Sequence, residues 1–186
     1  MILKSFRAIC AVALMMLAFR PAVAQSFRHL TAADFMGVPK PNDRGVIAYT
    51  NCTIDFNYQA NHSNNNYILH FKVTLQMNNY KSWMDKARIT SAEQLAAILK
   101  HEQGHYNIAY LEQQEVIRTM EHTRFTANYR NEAMNLFDRI DAKYKQLNID
   151  YDEDTQHSVN KQQQHSWDIY FAKRLEYMPP AENASM

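Results

Sequence analysis

The sequence predicts an α+β domain in which N-terminal antiparallel strands precede a long helix and two further helices. Two observations carry this prediction. Apolar and polar residues alternate with a period of two between residues 46 and 77, which is typical of half-buried strands. From Ser91 onward the apolar residues recur with the period of an α-helix. No proline interrupts the chain between Pro41 and Pro179, so long regular elements are expected there.

The first 24 residues are expected to be a signal peptide rather than part of this fold. A basic start precedes the apolar run Ala8–Phe19, and Ala22-Val23-Ala24 matches the small-residue pattern of a cleavage site. The apolar run has 12 residues, too few to span a bilayer comfortably. Cleavage would leave one domain, residues 25–178, with a flexible tail at 179–186. We therefore expect an exported bacterial protein, periplasmic or secreted, with no stable membrane span.

The charge of the mature chain gives no reason to expect a nucleic-acid partner. The full sequence has 20 basic and 19 acidic side chains. The expected cleavage removes three cations, which leaves 17 basic against 19 acidic side chains, a net charge of −2. Cys52 is then the one remaining cysteine, so the mature chain has no internal disulfide. We expect Cys52 to be a small buried residue rather than a reactive thiol.

The alternating region is predicted to form an antiparallel hairpin. The first strand is expected over Val46–Tyr58 and the second over Tyr67–Met77. The polar stretch Gln59–Asn66 would connect them, and a short connection between neighbouring strands makes the pair antiparallel.

Three helices are predicted after the hairpin. The stretch Thr90-Ser91-Ala92-Glu93-Gln94 has the pattern of a capping box, so a first helix is expected from there to about His122. A second helix is predicted over Tyr129–Leu147 and a third over roughly Asn160–Tyr177. Between the last two, the acidic stretch Asn148–Gln156 is predicted to be irregular.

The first helix carries two histidines four residues apart with a glutamate between them: His101, Glu102 and His105. A helical wheel places all three on the apolar face, where an unsatisfied polar group costs free energy. Side chains at i and i+4 are neighbours, so both imidazoles can reach one zinc ion, with Glu102 as the base that takes a proton from its water. The alternative is a pair of buried, hydrogen-bonded histidines beside a surface glutamate. Gly104, in mid-helix, indicates close approach of another backbone.

The third metal ligand has several candidates. Glu112 points in the direction of the histidines but lies about 10 Å further along the axis, so it is a candidate for a second-shell hydrogen bond or a salt bridge. Glu132 would bring a carboxylate from the following helix. His157 lies in the stretch predicted to be irregular, where Asp152 or Asp154 could orient its imidazole. On the residues alone, His157 is only modestly better than Glu132.

Four motifs give the chain a resemblance to a known family. The segment Ile98–Ala109 (ILKHEQGHYNIA) matches a family run like LLKHEQGHFDIA. The other matching positions are Asp34, Phe35 and Gly37 (DF-G), Ser82 and Trp83 (Ser-Trp), and Tyr151, Asp152, Thr155, His157, Gln163 or Gln164, and Trp167 (YD-x-x-T-x-HG, then Gln and Trp). Over roughly Leu30–Glu176 the chain resembles a bacterial family, originally a domain of unknown function, that is described as predicted secreted zinc-dependent proteases.

The resemblance implies a zincin-like fold and a Zn²⁺ cofactor held by His101, His105 and His157, and so it raises His157 above Glu132. The chain departs from the family pattern at Asn107, where the family has aspartate, and at Ser158, where the family has glycine. The second change is expected to stiffen the segment that carries His157.

The function that we expect on this basis is hydrolysis of peptide bonds, with Glu102 as general base and Tyr151 as a candidate second donor to the oxyanion. The substrate would be a peptide or protein, with cell-envelope peptides as one class, lying along the edge of the strand Tyr67–Met77. The alternatives are a non-catalytic envelope protein on the same fold, which binds zinc or a partner, and a helical interaction domain without metal.

Overall fold

The computed structural model describes residues 27–40, 45–63 and 66–176. The expected signal peptide and C-terminal tail lie outside these residues. Among the helices that the structure describes, none combines the length and the apolar character needed to cross a membrane.

Two antiparallel strand pairs precede three helices, as the sequence predicts at the level of an α+β class. The elements are β1 (Ala48–Tyr49), β2 (Cys52–Ser63), β3 (Asn66–Met77), β4 (Trp83–Met84), α1 (Ala92–Glu121), α2 (Tyr129–Thr155) and α3 (Lys161–Glu176). Short 3₁₀ turns lie at Ala32–Asp34 and Lys86–Arg88. β1 pairs with β4, and β2 pairs with β3.

The predicted hairpin is confirmed, with two differences in its extent. Most of the expected connection Gln59–Asn66 is paired, because the ladder continues to Ser63 opposite Asn66. The first expected strand is interrupted at Thr50 and Asn51, which separate β1 from β2. There the backbone N–H of Asn51 donates to the Ser82 hydroxyl, 2.9 Å away, instead of to a neighbouring strand.

The helix α1 begins where the capping pattern predicts. The Ser91 side chain accepts the backbone N–H of Gln94 at 3.1 Å, and the Gln94 side chain accepts the N–H of Thr90 at 2.7 Å. The first bond satisfies one of the backbone donors that a helix start leaves unpaired, and the second satisfies the N–H of Thr90, which precedes the N-cap residue Ser91. The predicted helix to about His122 therefore agrees with the structure, in which α1 ends at Glu121.

The middle of α1 is buried on all sides. Asn107, which lies away from the apolar face that carries the histidines, is therefore not exposed to solvent. The N-terminal segment covers this side of the helix. Leu30 donates its backbone N–H to Gln103 Oε1 at 2.7 Å, and Gln103 Nε2 donates to the Arg28 carbonyl at 3.1 Å and to Asn107 Oδ1 at 3.0 Å. Sequence periodicity could not reveal this cover because it comes from residues some seventy positions earlier in the chain.

The helix α2 corrects the prediction of an irregular stretch at Asn148–Gln156, since it continues as helix to Thr155. Acidic residues near a helix C-terminus oppose the helix dipole. Here packing outweighs that cost, because Tyr151 and Thr155, one turn apart, are fully buried. α2 runs antiparallel to α1: the Tyr144 hydroxyl donates to Glu115, whereas Tyr151 donates to the carbonyl of His101.

The hydrophobic core divides into two clusters that share α1. One lies among β3, α1, α2 and α3 and includes Val73, Ile108 and Phe171. The other lies among the N-terminal segment, β3 and the first half of α1 and includes Leu75 and Tyr106. Cys52 is half-buried, and burial raises the pKa of its thiol to about 12, so the thiol stays protonated. Both core clusters contain residues of α1, so the helix that carries the motif is the central element of the fold.

Candidate metal centre

The first half of the candidate site lies on α1. His101 and His105 point the same way, and their Nε2 atoms are 3.2 Å apart. His101 is 3% exposed and Glu102 2% exposed, so the polar groups are inside the fold. The structure therefore places these residues together on one buried face, where the helical wheel predicts them.

The second half comes from the end of α2. Asp152 Oδ1 lies 3.2 Å from His101 Nε2, 3.1 Å from His105 Nε2 and 3.1 Å from His157 Nδ1. One carboxylate oxygen thus stands among three imidazole nitrogens. His101, Asp152 and His157 form a group of donors within 4.8 Å of one another that could hold a metal ion. Asp152, expected only to orient one imidazole, is at hydrogen-bond distance from three of them.

The turn after α2 brings His157 back toward α1. Gln156, His157 and Ser158 have φ angles of 48°, 51° and 79°, all in the left-handed region. Residues other than glycine rarely adopt this conformation because their Cβ crowds the backbone. Ser158 therefore occupies a position that favours glycine, which is the residue the resembling family carries there. The backbone N–H of Asn160 closes the turn on the carbonyl of Thr155 at 2.9 Å.

Hydrogen bonds on the far side of each ring set the tautomers of the α1 histidines. His105 Nδ1 lies 2.7 Å from Asn148 Oδ1, an acceptor, so Nδ1 carries the proton and Nε2 presents a lone pair. His101 Nδ1 lies 3.3 Å from Gln164 Oε1. Gln164 Nε2 donates to Asp168, which leaves Oε1 to accept from His101. Both Nε2 lone pairs therefore face the centre, as in histidines that bind metals.

The centre needs a positive charge, because two imidazole lone pairs meet a carboxylate oxygen there. Without a metal, protons supply that charge. Burial lowers the pKa of His105, but the hydrogen bond to Asp152 and the charge of Glu102 outweigh burial and raise the pKa to about 9. Burial likewise raises the pKa of Asp152, yet hydrogen bonding with the ring nitrogens of His101 and His105 holds it well below its usual range.

A zinc ion fits the observed donor positions. Zinc–nitrogen and zinc–oxygen bonds are about 2.0–2.2 Å long, so donors in a tetrahedral site are separated by roughly 3.3 Å. The separations among His101 Nε2, His105 Nε2 and Asp152 Oδ1 are 3.1 and 3.2 Å. Nitrogen and carboxylate oxygen are also the donor types that zinc takes in hydrolytic sites.

Glu102 is held from the strand side by Thr50, a contact the sequence did not reveal. The Thr50 hydroxyl lies 2.6 Å from Glu102 Oε2, to which it donates, and Thr50 is itself buried. The segment between β1 and β2 places this residue over α1. In the sequence, Thr50 falls on one face of the predicted strand Val46–Tyr58, and nothing in that alternation distinguishes it from a packing residue.

Gly104 is explained by a side chain rather than by a backbone. A Cβ atom at Gly104 would lie 2.2 Å from the Tyr151 hydroxyl oxygen. The Tyr151 ring stacks on the His101 ring at 4.8 Å with an interplanar angle of 15°, and its hydroxyl donates to the His101 carbonyl at 3.0 Å. Tyr151 is fully buried. Its geometry favours support of His101 over the expected contact with an oxyanion.

The two remaining carboxylate candidates lie away from the histidine cluster. Glu112 is buried further along α1, and the charges that act on it are those of Asp141 and Lys145. Glu132 lies in the first turn of α2, about 30 Å of helix before Asp152, and accepts hydrogen bonds from Thr126. The structure therefore removes Glu132 as an alternative third ligand.

A cleft of about 220 Å³ opens onto the site. One wall carries the α1 motif with Asp152 and His157. The opposite wall is made of Lys40, Val46, Ala48, Tyr49 and Trp83. The strand that was expected to border the substrate, Tyr67–Met77, does not line this cleft. β1, the short strand that precedes the interruption at Thr50 and Asn51, takes that place.

Comparison with protein-family models matches residues 24–158 to a family described as a bacterial protein of unknown function (DUF922). The chain belongs to this family. Comparisons with curated proteins and with solved structures find no match. The matched family region contains the α1 motif, Asp152 and His157 and ends at Ser158. Gln164, whose side chain contacts His101, lies beyond it on α3.

Proposed function

We propose that this member of the family is an exported, zinc-dependent hydrolase of peptide bonds with a zincin-like arrangement. The observation that supports the proposal is that Asp152 Oδ1 lies within 3.2 Å of ring nitrogens of His101, His105 and His157 at one end of a cleft. Glu102 lines the same cleft. Two histidines and a glutamate on one helix face are the combination that zinc hydrolysis of an amide requires.

The chemistry supplied by a bound zinc ion is a lowered pKa for water and polarisation of the scissile carbonyl. The chain contributes the positions of the reacting groups. Thr50 holds Oε2 of Glu102, so the other carboxylate oxygen is the one we assign to proton transfer from water to the leaving amine. Asn148 and Gln164 keep the two α1 imidazoles in the tautomer that presents Nε2 to the centre.

The substrate we propose is an extended peptide that lies along β1. β1 pairs with β4 on one side, and its other edge pairs with no strand in the part of the chain that the structure describes. Extended peptides add to such edges by backbone hydrogen bonds. Ala48, Tyr49 and Trp83 form the adjacent wall, and Tyr49 is 43% exposed, so apolar or aromatic substrate side chains suit this cleft.

The test is zinc content together with a base-deletion variant of the mature chain, Gln25 onward. We expect about one zinc per chain and cleavage in a library of fluorogenic peptides. Glu102→Gln should keep the zinc and lose at least about 100-fold in kcat/KM, since general acid–base groups contribute on that scale. Glu121→Gln, an exposed change at the end of the same helix, is the matched control. No zinc uptake, or full activity of Glu102→Gln, would contradict the proposal.

A non-catalytic zinc protein is the second candidate, and one observation favours it. Three imidazole nitrogens surround Asp152 Oδ1, and if all four residues bound one zinc ion they would fill a tetrahedral site and leave no position for water. That reading predicts zinc binding without peptide cleavage by the wild-type chain. Which of the four donors are permanent ligands therefore decides between the two functions.

A further inference from the structure

The four donors are not equivalent in how the fold holds them. A catalytic zinc site keeps three protein ligands and one exchangeable position. His101 and His105 are fixed on the buried helix α1 and by hydrogen bonds to their outer nitrogens. The question is which of Asp152 and His157 completes the permanent set.

Asp152 has the geometry of a direct ligand. Its Oδ1 completes a nearly equilateral triangle with the two Nε2 atoms, with sides of 3.2, 3.2 and 3.1 Å. It lies within the helical part of α2, between Tyr151 and Thr155, which are both fully buried against His101. A carboxylate that only oriented an imidazole would contact its outer nitrogen. Asp152 contacts His157 Nδ1, but it also contacts the Nε2 atoms of His101 and His105 that face the centre, which a purely orienting carboxylate would not do.

His157 is held more loosely. Its side chain is 44% exposed, and its ring centroid lies 6.1 Å from that of His101. It follows the end of α2 in a run of three left-handed residues without glycine, a backbone conformation that stores strain. Its Nδ1 meets the cluster through Asp152 Oδ1. A change of φ and ψ in this turn would withdraw His157 without moving α1 or α2.

We propose that Asp152 is the third permanent zinc ligand and that His157 is a fourth, exchangeable ligand whose departure opens the site to substrate. This inference rests on the proposed function and deepens it. His157 then closes the site in the resting protein, and a peptide that enters the cleft along β1 takes the vacated position. The same chain thereby accommodates both the closed four-donor arrangement and hydrolysis.

The experiment measures zinc affinity of the mature chain by competition with a chromogenic chelator. We expect Asp152→Asn to weaken zinc binding by more than about 100-fold, beyond the 10–100-fold that loss of an outer hydrogen bond costs. His157→Ala should weaken it by less than about 10-fold and keep about one zinc per chain. The matched controls are Asp150→Asn, half-buried on the same helix, and His165→Ala, exposed on α3, and both are expected to bind zinc like the wild type.

Cobalt substitution gives a readout that is independent of activity. The visible spectrum of bound Co²⁺ reports its donor set, and acetate is the probe for an open position. We expect acetate to perturb the spectrum of His157→Ala at a concentration at least about 10-fold lower than for the wild type, because the position that His157 occupies is vacant. Asp152→Glu, which keeps a carboxylate, should bind zinc more tightly than Asp152→Asn, which keeps the inference testable if the latter folds poorly.

The outcomes separate the inference from the proposed function. Loss of zinc in His157→Ala with retention in Asp152→Asn would overturn the inference and leave a three-histidine hydrolase. Loss in both variants would overturn the exchange of His157. A wild-type chain that binds no zinc even after refilling would overturn the proposed function, and the inference with it.

Discussion

The two halves of the site differ in how they are built. The α1 half consists of residues within one buried helix, where spacing in sequence becomes spacing in space. The α2 half consists of Asp152, in the last turn of a helix, and His157, in the strained turn beyond it. The α1 half is fixed by local geometry, whereas the α2 half depends on contacts made across the fold. The α1 motif therefore supplies half of the candidate site, and tertiary packing decides the other half.

The largest effect is expected where the two halves meet, at Gly104 and Tyr151. At an ordinary helix position, Gly→Ala stabilises by about 1 kcal/mol. Here the new Cβ would lie 2.2 Å from the Tyr151 hydroxyl, and Tyr151 is packed on His101 with no room to shift. We expect Gly104→Ala to lower the free energy of unfolding by about 3 kcal/mol, as overpacking does, and to weaken zinc binding. Urea denaturation measures the first effect. Unchanged stability would contradict the close contact between Tyr151 and Gly104 that joins the two halves.

The next effect concerns the support of Glu102 by Thr50 on the strand side of α1. Thr50→Val removes the hydroxyl and leaves the Glu102 carboxylate without the hydrogen bond that positions it. We expect kcat to fall by about 30-fold with little change in KM, since an interaction that positions a base acts on the chemical step. Thr50→Ser keeps the hydroxyl and should restore most of the activity. Equal losses in both variants would mean that Thr50 acts through packing alone.

A third prediction concerns Glu112, further along α1 beyond the candidate ligands. Burial raises the pKa of Glu112 to about 8, Asp141 adds to this and Lys145 opposes it. The folded chain therefore holds a proton that the unfolded chain releases between about pH 4.5 and 8, so stability falls as pH rises through this window. Glu112→Gln removes that loss. Above pH 8 we expect its free energy of unfolding to exceed that of the wild type by at least about 1 kcal/mol.

The control for this prediction lies three residues further on. Hydrogen bonds from Lys143 and Tyr144 outweigh burial and lower the pKa of Glu115, so ionised Glu115 stabilises the fold. Glu115→Gln should therefore be less stable than the wild type at pH 8, the opposite sign to Glu112→Gln. Thermal unfolding from pH 4 to 9 compares the two variants, and a shared sign would show that their environments do not differ as described.

The smallest effect is expected in the turn that carries His157. Ser158 has a φ of 79°, which glycine adopts without steric cost. We expect Ser158→Gly to change stability by only about 0.5 kcal/mol, because relief of strain is offset by greater freedom of the unfolded chain. The same variant should speed the exchange of His157, whereas the positions of the α1 histidines should not change. Acetate titration of the Co²⁺ protein, as described above, is the measurement.

The features that could be predicted from the sequence are those set by near neighbours. The capping residues at Ser91 and Gln94, the alternation of the hairpin and the placement of His101 and His105 on one helix face all follow from short spacings. The α+β class and the family follow from the same patterns and from the motif combination.

The remaining features depend on distant contacts. α2 continues through an acidic stretch because Tyr151 and Thr155 pack against His101, some fifty residues earlier. Thr50 reaches Glu102 because the chain leaves β1 over α1. Asp152 lies among the histidines because this same packing keeps the end of α2 helical. In the sequence, its position next to other acidic residues resembles that of a solvated helix end. Neither periodicity nor spacing carries this information.

The most direct test of the account is anomalous X-ray scattering at the zinc edge from crystals of the mature chain. We expect one strong zinc peak about 2 Å from His101 Nε2, His105 Nε2 and Asp152 Oδ1. A crystal grown with zinc in excess that shows no peak there, with the histidines hydrogen bonded to Asp152 alone, would contradict the claim that the two halves form one metal centre.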